Sequence, residues 1–202
     1  MKRIYSILSL LLISVAAFGA TSAADVLKRS ADKIKSAESL YVTFTANADG
    51  HTSEGMLVLQ GEMFTISSPN MMSWYDGKTQ WTYSSQIGEV NIITPTPEEL
   101  QQINPLAIVK SFSSGYTTQL LKSPAGKSIV RLTSKNAKSD ITSADITIDN
   151  TTLYPTRIVL TMSNRQKVTI DIKSVNRGGK LPTENFRFDK KRYPGVQVVD
   201  LR

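Results

Sequence analysis

The chain has no cysteine and only one histidine, His51, among its 202 residues. Without cysteine there is no disulfide, thiolate metal site, cysteine nucleophile or lipid-modified N-terminal cysteine. A single histidine excludes a histidine-rich zinc site and the paired-histidine constellations of many hydrolases. The G-x-S-x-G elbow, the P-loop and H-E-x-x-H are missing as well. Asp140, Asp145, Asp149 and Asp171 remain as carboxylates, but alternate spacing on solvent-facing strands explains them without catalysis. No enzyme activity, cofactor or metal is expected.

Long apolar runs are equally scarce. The one that stands out, Ile4 to Phe18, follows Met1-Lys2-Arg3 and precedes the small residues GATSA. It falls short of the ~20 residues that span a bilayer comfortably, and its layout is that of a secretory signal peptide. The expected organisation is a signal peptide at 1–19 and a single domain at 20–202. Cleavage after Gly19 is preferred, with cleavage after Ala23 close behind. The product is then soluble outside the cytoplasm.

The charge is +7 overall but unevenly spread. Residues 4–100 carry five basic and ten acidic side chains, whereas residues 101–202 carry 17 and seven. That asymmetry either steers an oppositely charged partner or solvates different faces of one domain. Nucleic acid is excluded as a partner, because Lys190-Lys191-Arg192 is the one compact basic cluster in an exported chain.

Ala23, Val26, Leu27, Ala31 and Ile34 recur at helical spacing, and Ser22 with Asp25 forms a capping-box signature. From residue 40 the period changes to two. LYVTFTANA, GMLVLQGEMFTIS, MMSWYDGKTQWTYSS and IGEVNIIT read as strands, with Asp76-Gly77 as a hairpin turn. GYTTQLLK, KSIVRLTSK, SADITIDN, PTRIVLTM, KVTIDIKSV and FRF continue the series. Between the two sets, EELQQI and LAIVKSF predict short helices, the second carrying Leu106, Ile108, Val109 and Phe112. They serve either as a crossover plugging the sheet's open end or as a movable lid over an apolar cavity.

Several strands are apolar on both faces, Met56 and Val58 opposing Leu57 and Leu59, for instance. Either a sandwich buries its central strands, or a curved sheet wraps an apolar interior. Composition favours the sandwich. The density of Met63, Phe64, Met71, Met72, Trp74, Trp81 and Tyr83 favours a broad wall around a pocket, since methionine adapts to irregular partners.

Three blocks carry a family resemblance: GEMFTISSPNMMSWYDGKTQWTYSSQIGEV (61–90), NPLAIV (104–109) and ENFRFDKKRYPGVQVVD (184–200). In this order behind a signal peptide they resemble the LolA family of periplasmic lipoprotein carriers, in particular its Bacteroidetes-type branch. The resemblance implies an unclosed antiparallel β-barrel of about eleven strands with covering helices. It also implies a periplasmic carrier that shields the acyl chains of lipoproteins between the inner and outer membranes. The partners it implies are acylated lipoproteins, an inner-membrane ABC lipoprotein-release complex and an outer-membrane acceptor, with the carrier itself a monomer. The alternative is a periplasmic binding module for another lipid or amphiphile. Expected acyl-chain contacts are Phe44, Met56, Met63, Trp74 and Trp81 on strands, with Leu106, Ile108, Val109 and Phe112 on the lid. One departure bears on the lid. Ser68, before Pro69, stands where proteobacterial relatives carry an arginine that latches it.

Overall fold

The computed structural model describes residues 22–104 and 106–202. The expected signal peptide at 1–19 lies outside the described residues. Helix α1, Ala23–Lys35, opens with the expected reciprocal cap: Ser22 accepts from the Asp25 backbone, and the Asp25 carboxylate accepts from the Ser22 backbone. Its apolar stripe, Ala23, Val26, Leu27, Ala31 and Ile34, is buried.

Twelve strands form one sheet in the order β12-β6-β5-β4-β3-β2-β1-β11-β10-β9-β8-β7. In chain order they are β1 Ser39–Ala48, β2 His51–Gln60, β3 Met63–Ser68, β4 Met71–Tyr75, β5 Gln80–Ser84 and β6 Glu89–Ile93. After two helices come β7 Tyr116–Leu121, β8 Lys127–Ser134, β9 Ile141–Asp149, β10 Pro155–Met162, β11 Lys167–Gly178 and β12 Gln197–Asp200. Neighbouring strands are antiparallel except β12, which runs parallel to β6. β7 and β12 are edges that do not pair with each other, so the barrel is unclosed, with one strand more than the eleven expected. The Asp76-Gly77 turn forms as read: Gly77 has φ +97°, and the Asp76 carboxylate accepts from the Lys78 and Thr79 backbones.

Register assigns the faces. Val42 lies opposite Leu57, Leu57 opposite Ile66, and Leu59 opposite Phe64, which in turn faces Tyr75. Across the second half, Val130, Ile146, Ile158 and Ile170 form one continuous row. These residues are buried and share one core with α1. The outer face of the second half is polar instead, with Arg131 paired to Asp145 and Arg157 to Asp171 across strands. The hydrogen bond from Arg157 holds the Asp171 carboxyl below its ordinary range.

FRF is not a strand. Thr183–Phe186 forms a 3-10 turn, and Phe188 follows in a loop. The segment crosses the outer face of β3 and β4, and its two phenylalanines are spent on that packing. Phe186 is fully buried, and the Phe188 and Tyr193 rings each lie 5.6 Å from the Trp74 ring. Gln60 clamps the start of this strap, donating to the Leu181 carbonyl and accepting from the Leu181 N–H.

Candidate functional site

Helices α2, Pro97–Ile103, and α3, Ala107–Gly115, lie on the concave side of the sheet. Pro97 occupies the first turn of α2, where its missing N–H costs nothing, and Thr96 and Glu99 close a capping box. Asn104 turns the chain between the helices and accepts from the Leu106 N–H. Leu106, Ile108 and Val109 are buried in the core, and Phe112 is half-buried against it.

A cavity of about 350 Å³ opens beside α2. Its apolar lining comes from Phe44, Ile66, Met71, Ile103, Leu160, Met162, Val168 and Ile170, with Ser53, Ser67 and Ser68 at its border. That places it at the small end of ligand pockets, which run about 300–1,000 Å³. A second cavity of about 290 Å³ lies on the other side of α2, between Phe64, Tyr75, Leu100 and Ala107. Helix α2 is thus a partition: Leu100, Gln101 and Asn104 face one space, Gln102 and Ile103 the other.

Among the described residues, these side-chain contacts hold the two helices to the rest of the fold. Gln102 donates to Asp140 at 3.0 Å on the exposed side of α2, and the buried Tyr116 hydroxyl donates to Gln101. Burial, reinforced by the charge of Glu98, pushes the Tyr116 phenol up, so it stays neutral and a donor. On α3, Lys110 donates to the Gly61 carbonyl at 2.9 Å and pairs with Glu62 at 2.8 Å, its side chain only 10% exposed. Ser68 lies at the cavity border. Lys110, one turn further along the lid than the buried Leu106, makes the ionic tether instead.

Of the five strand residues expected at the lipid site, Phe44 alone lines this cavity. Trp74 pairs with Trp81 and Thr65 across strands, on the face opposite Phe64 and Tyr75. Met63 shares that outer face, two residues before Thr65. Met56, opposite Thr43 and Ser67, also points outward and is 45% exposed. The physical reason is that these strands are covered twice, by helices inside and by the C-terminal strap outside. Both parities are therefore apolar, and alternation does not mark the inner one. Met71 was read as part of the methionine-rich wall, whereas Ile66, Ile103, Leu160, Met162, Val168 and Ile170 were missed. The usable signal was their parity relative to Phe44, but it requires knowing the register.

Gly55 explains the position of Phe44. A Cβ on Gly55 would lie 2.4 Å from Phe44 Cζ, so the ring occupies the space a side chain would fill. Gly55→Val should push that ring toward the cavity. Overpacking of this kind costs about 1–3 kcal/mol, offset in part by the better strand propensity of valine. Urea unfolding and acyl-probe titration together check it: the expected result is a modest stability loss with a clear loss of affinity.

Among the described residues, no group of three or more His, Asp or Glu is placed to hold a metal, and no helix is long and apolar enough to cross a membrane. What the site offers is apolar volume with serines at its border and helices over it. Chemically, it can sequester hydrocarbon.

Fold and cavity together define an unclosed β-barrel with an apolar interior covered by helices. Residues 13–166 match the outer membrane lipoprotein carrier protein LolA family, and the chain belongs to that family. No curated protein matches it. An uncharacterized conserved protein from Thermus thermophilus is similar in structure, with 11% identity, 88% of this chain and 98% of that one covered, and a TM-score of 0.59. A DUF1329 family protein from Desulfovibrio piger gives 13% identity, 83% and 98% coverage and a TM-score of 0.51. A LolA superfamily protein from Nitrosomonas europaea gives 13%, 85% and 100%, and 0.47. At such identities the first two likenesses establish the fold alone.

Proposed function

We propose that this chain is an exported, periplasmic carrier that binds lipoprotein acyl chains and ferries them from the inner to the outer membrane. Family membership supports the reading, and the apolar cavity walled by Phe44, Ile103, Leu160, Met162 and Val168 carries it. The proposed donor is an inner-membrane ABC release complex and the proposed recipient an outer-membrane acceptor; the carrier works as a monomer and catalyses nothing. Each methylene moved from water into the cavity contributes about 0.8 kcal/mol, so even a short length of acyl chain offsets much of its preference for a bilayer. One cavity is small for several chains. Lifting α2 joins the two spaces it divides and breaks two side-chain hydrogen bonds, Gln102 to Asp140 and Tyr116 to Gln101, each typically worth about 0.5–1.5 kcal/mol.

The test uses the Gln102–Asp140 pair. Gln102→Cys with Asp140→Cys, in a chain that has no other cysteine, allows a reducible bis-methanethiosulfonate bridge to pin α2 to the sheet. Pinning should reduce capture of a labelled triacylated lipoprotein from membranes at least tenfold, and reduction should restore it. Unchanged capture by a sample whose bridge is confirmed by intact mass would overturn the reading.

A further inference from the structure

We propose that the smaller space beside α2 holds the carbonyl end of the acylated cargo, recognising ester and amide oxygens through the carboxamides of Asn104 and Gln101 and the Tyr75 hydroxyl. The inference rests on the carrier reading above and divides the cargo between the two cavities.

An acyl chain is not pure hydrocarbon. It begins at a carbonyl, and taking a carbonyl out of water without a donor costs more than burying a methylene regains. The 350 Å³ cavity meets that need poorly, because its lining is apolar with serines at its border. The 290 Å³ space is different. Phe64 and Leu100 give it an apolar floor, and Tyr75, Gln101 and Asn104 bring polar atoms to it.

Both carboxamides are nearly enclosed, Asn104 being 4% exposed and Gln101 7%. Each spends its oxygen inside the fold. Asn104 Oδ1 accepts from the Leu106 N–H at 3.0 Å, and Gln101 Oε1 accepts from the Tyr116 hydroxyl. A backbone N–H can only donate, so the Asn104 amide has one orientation. Neither amide nitrogen has a partner among the described residues, and both residues line the 290 Å³ space. An aspartate and a glutamate would make the two structural bonds equally well, so the amide N–H groups are surplus to the fold. Tyr75, 8% exposed, adds a hydroxyl that is likewise without a partner among the described residues. Burial, reinforced by the charges of Glu62 and Asp76, pushes its phenol up and keeps it a neutral donor.

Three neutral donors around one apolar space select an acceptor that brings no charge. At the border, Lys110 is taken up by Glu62 and the Gly61 carbonyl, and Lys35 stands exposed in water. A carboxylate or phosphate would enter without an unspent buried counter-charge, whereas an ester or amide oxygen needs none. Exposed Lys35 and Glu62 also mark where the space meets solvent. A chain held under α2 then has its hydrocarbon against Phe44, Leu160 and Val168, its carbonyl at Asn104, and the polar body of the cargo outside.

Displacement of a fluorescent fatty-acyl probe tests this with matched competitors. Monopalmitoylglycerol carries an ester, and monohexadecylglycerol has the same length but no carbonyl. The ester should displace the probe at a concentration roughly tenfold lower. Asn104→Asp with Gln101→Glu keeps both structural acceptors and replaces the donors by carboxylate oxygens, so at pH ~8 the preference should vanish. At pH ~4 the protonated acids donate again and the preference should return. A merely structural role for these residues gives no such rescue. Tyr75→Phe adds no charge and should lower the preference about threefold; it carries the test if the acid pair fails a thermal melt. Gln119→Glu makes the same chemical change on exposed β7 and should leave the preference intact. A preference that survives the folded acid pair overturns the proposal, and so does one that Tyr75→Phe leaves unchanged. Palmitate displacing the probe at a lower concentration than the ester overturns it in favour of an anion site. Failure of every acyl probe to bind defeats the carrier reading and this one with it, whereas equal displacement by ester and ether defeats this one alone.

Discussion

Phe186→Ala is expected to lower the free energy of unfolding by about 3–5 kcal/mol, as removal of a fully buried phenylalanine does when the site cannot collapse around the cavity. Phe186 has no exposed surface, yet it belongs to a strap rather than to the barrel wall. Its neighbours are held on both sides, by the Gln60–Leu181 clamp before it and by the Arg187–Asp76 pair at 3.0 Å after it. The strap cannot sink to fill the void. Beyond it, Phe188 and Tyr193 pack on Trp74, and Tyr193 lies 4.9 Å from Tyr83. Chemical unfolding followed by tryptophan fluorescence reads both the midpoint and the Trp74 environment. Acyl-probe affinity should change little, because the strap and the cavity lie on opposite faces of the sheet. A loss below about 1 kcal/mol would show instead that the strap detaches on its own.

Ile103→Glu should do the reverse, leaving stability nearly intact while removing acyl binding. Ile103 is half-buried at the end of α2, where its side chain faces the cavity and water remains within reach. In the empty protein a glutamate there can stay hydrated. An acyl chain entering the cavity would strip that water from the carboxylate, and an uncompensated polar group in hydrocarbon costs about 2 kcal/mol or more. The expected loss of affinity is roughly thirtyfold or greater, read by titration of a fluorescent fatty-acyl probe. Ile103→Gln provides the graded case, since it is polar but uncharged. A thermal melt that falls as far as the affinity would place Ile103 in the ordinary core. Retained affinity at full stability would place the ligand elsewhere.

Local periodicity was enough to read the elements from α1 to β11, but not the C-terminal segment. Helical spacing marked α1, and its cap followed from Ser22 and Asp25. Period-two runs located the strands from β1 to β11, and Pro97 with Glu98 and Glu99 announced the helix between the two strand sets. These signals are legible because each depends on residues within one or two turns of each other. The antiparallel class followed too, since short returns between strands leave no room for crossover helices. Ile108, Val109 and Phe112 sit on the expected helix for the same reason, with Leu106 at its N-cap.

Choice of face was not local. Trp74 and Trp81 stand on the outer side, and Tyr75 and Phe64 on the inner, although all four are large, apolar and adjacent in sequence. Only the arrival of Phe186, Phe188 and Tyr193, more than a hundred residues after Trp74, makes the outer side a buried one. FRF carries a strand's alternation, yet that contact bends it into a turn. The cavity has the same origin. Its wall joins Phe44 and Ile66 from one half of the sheet to Leu160 and Val168 from the other, with Ile103 of the lid above them. By itself the sequence determined a helix-interrupted series of antiparallel strands. Tertiary structure alone decided which of two equally apolar faces encloses space, because an alternating strand specifies two faces and only its distant neighbours determine what covers each.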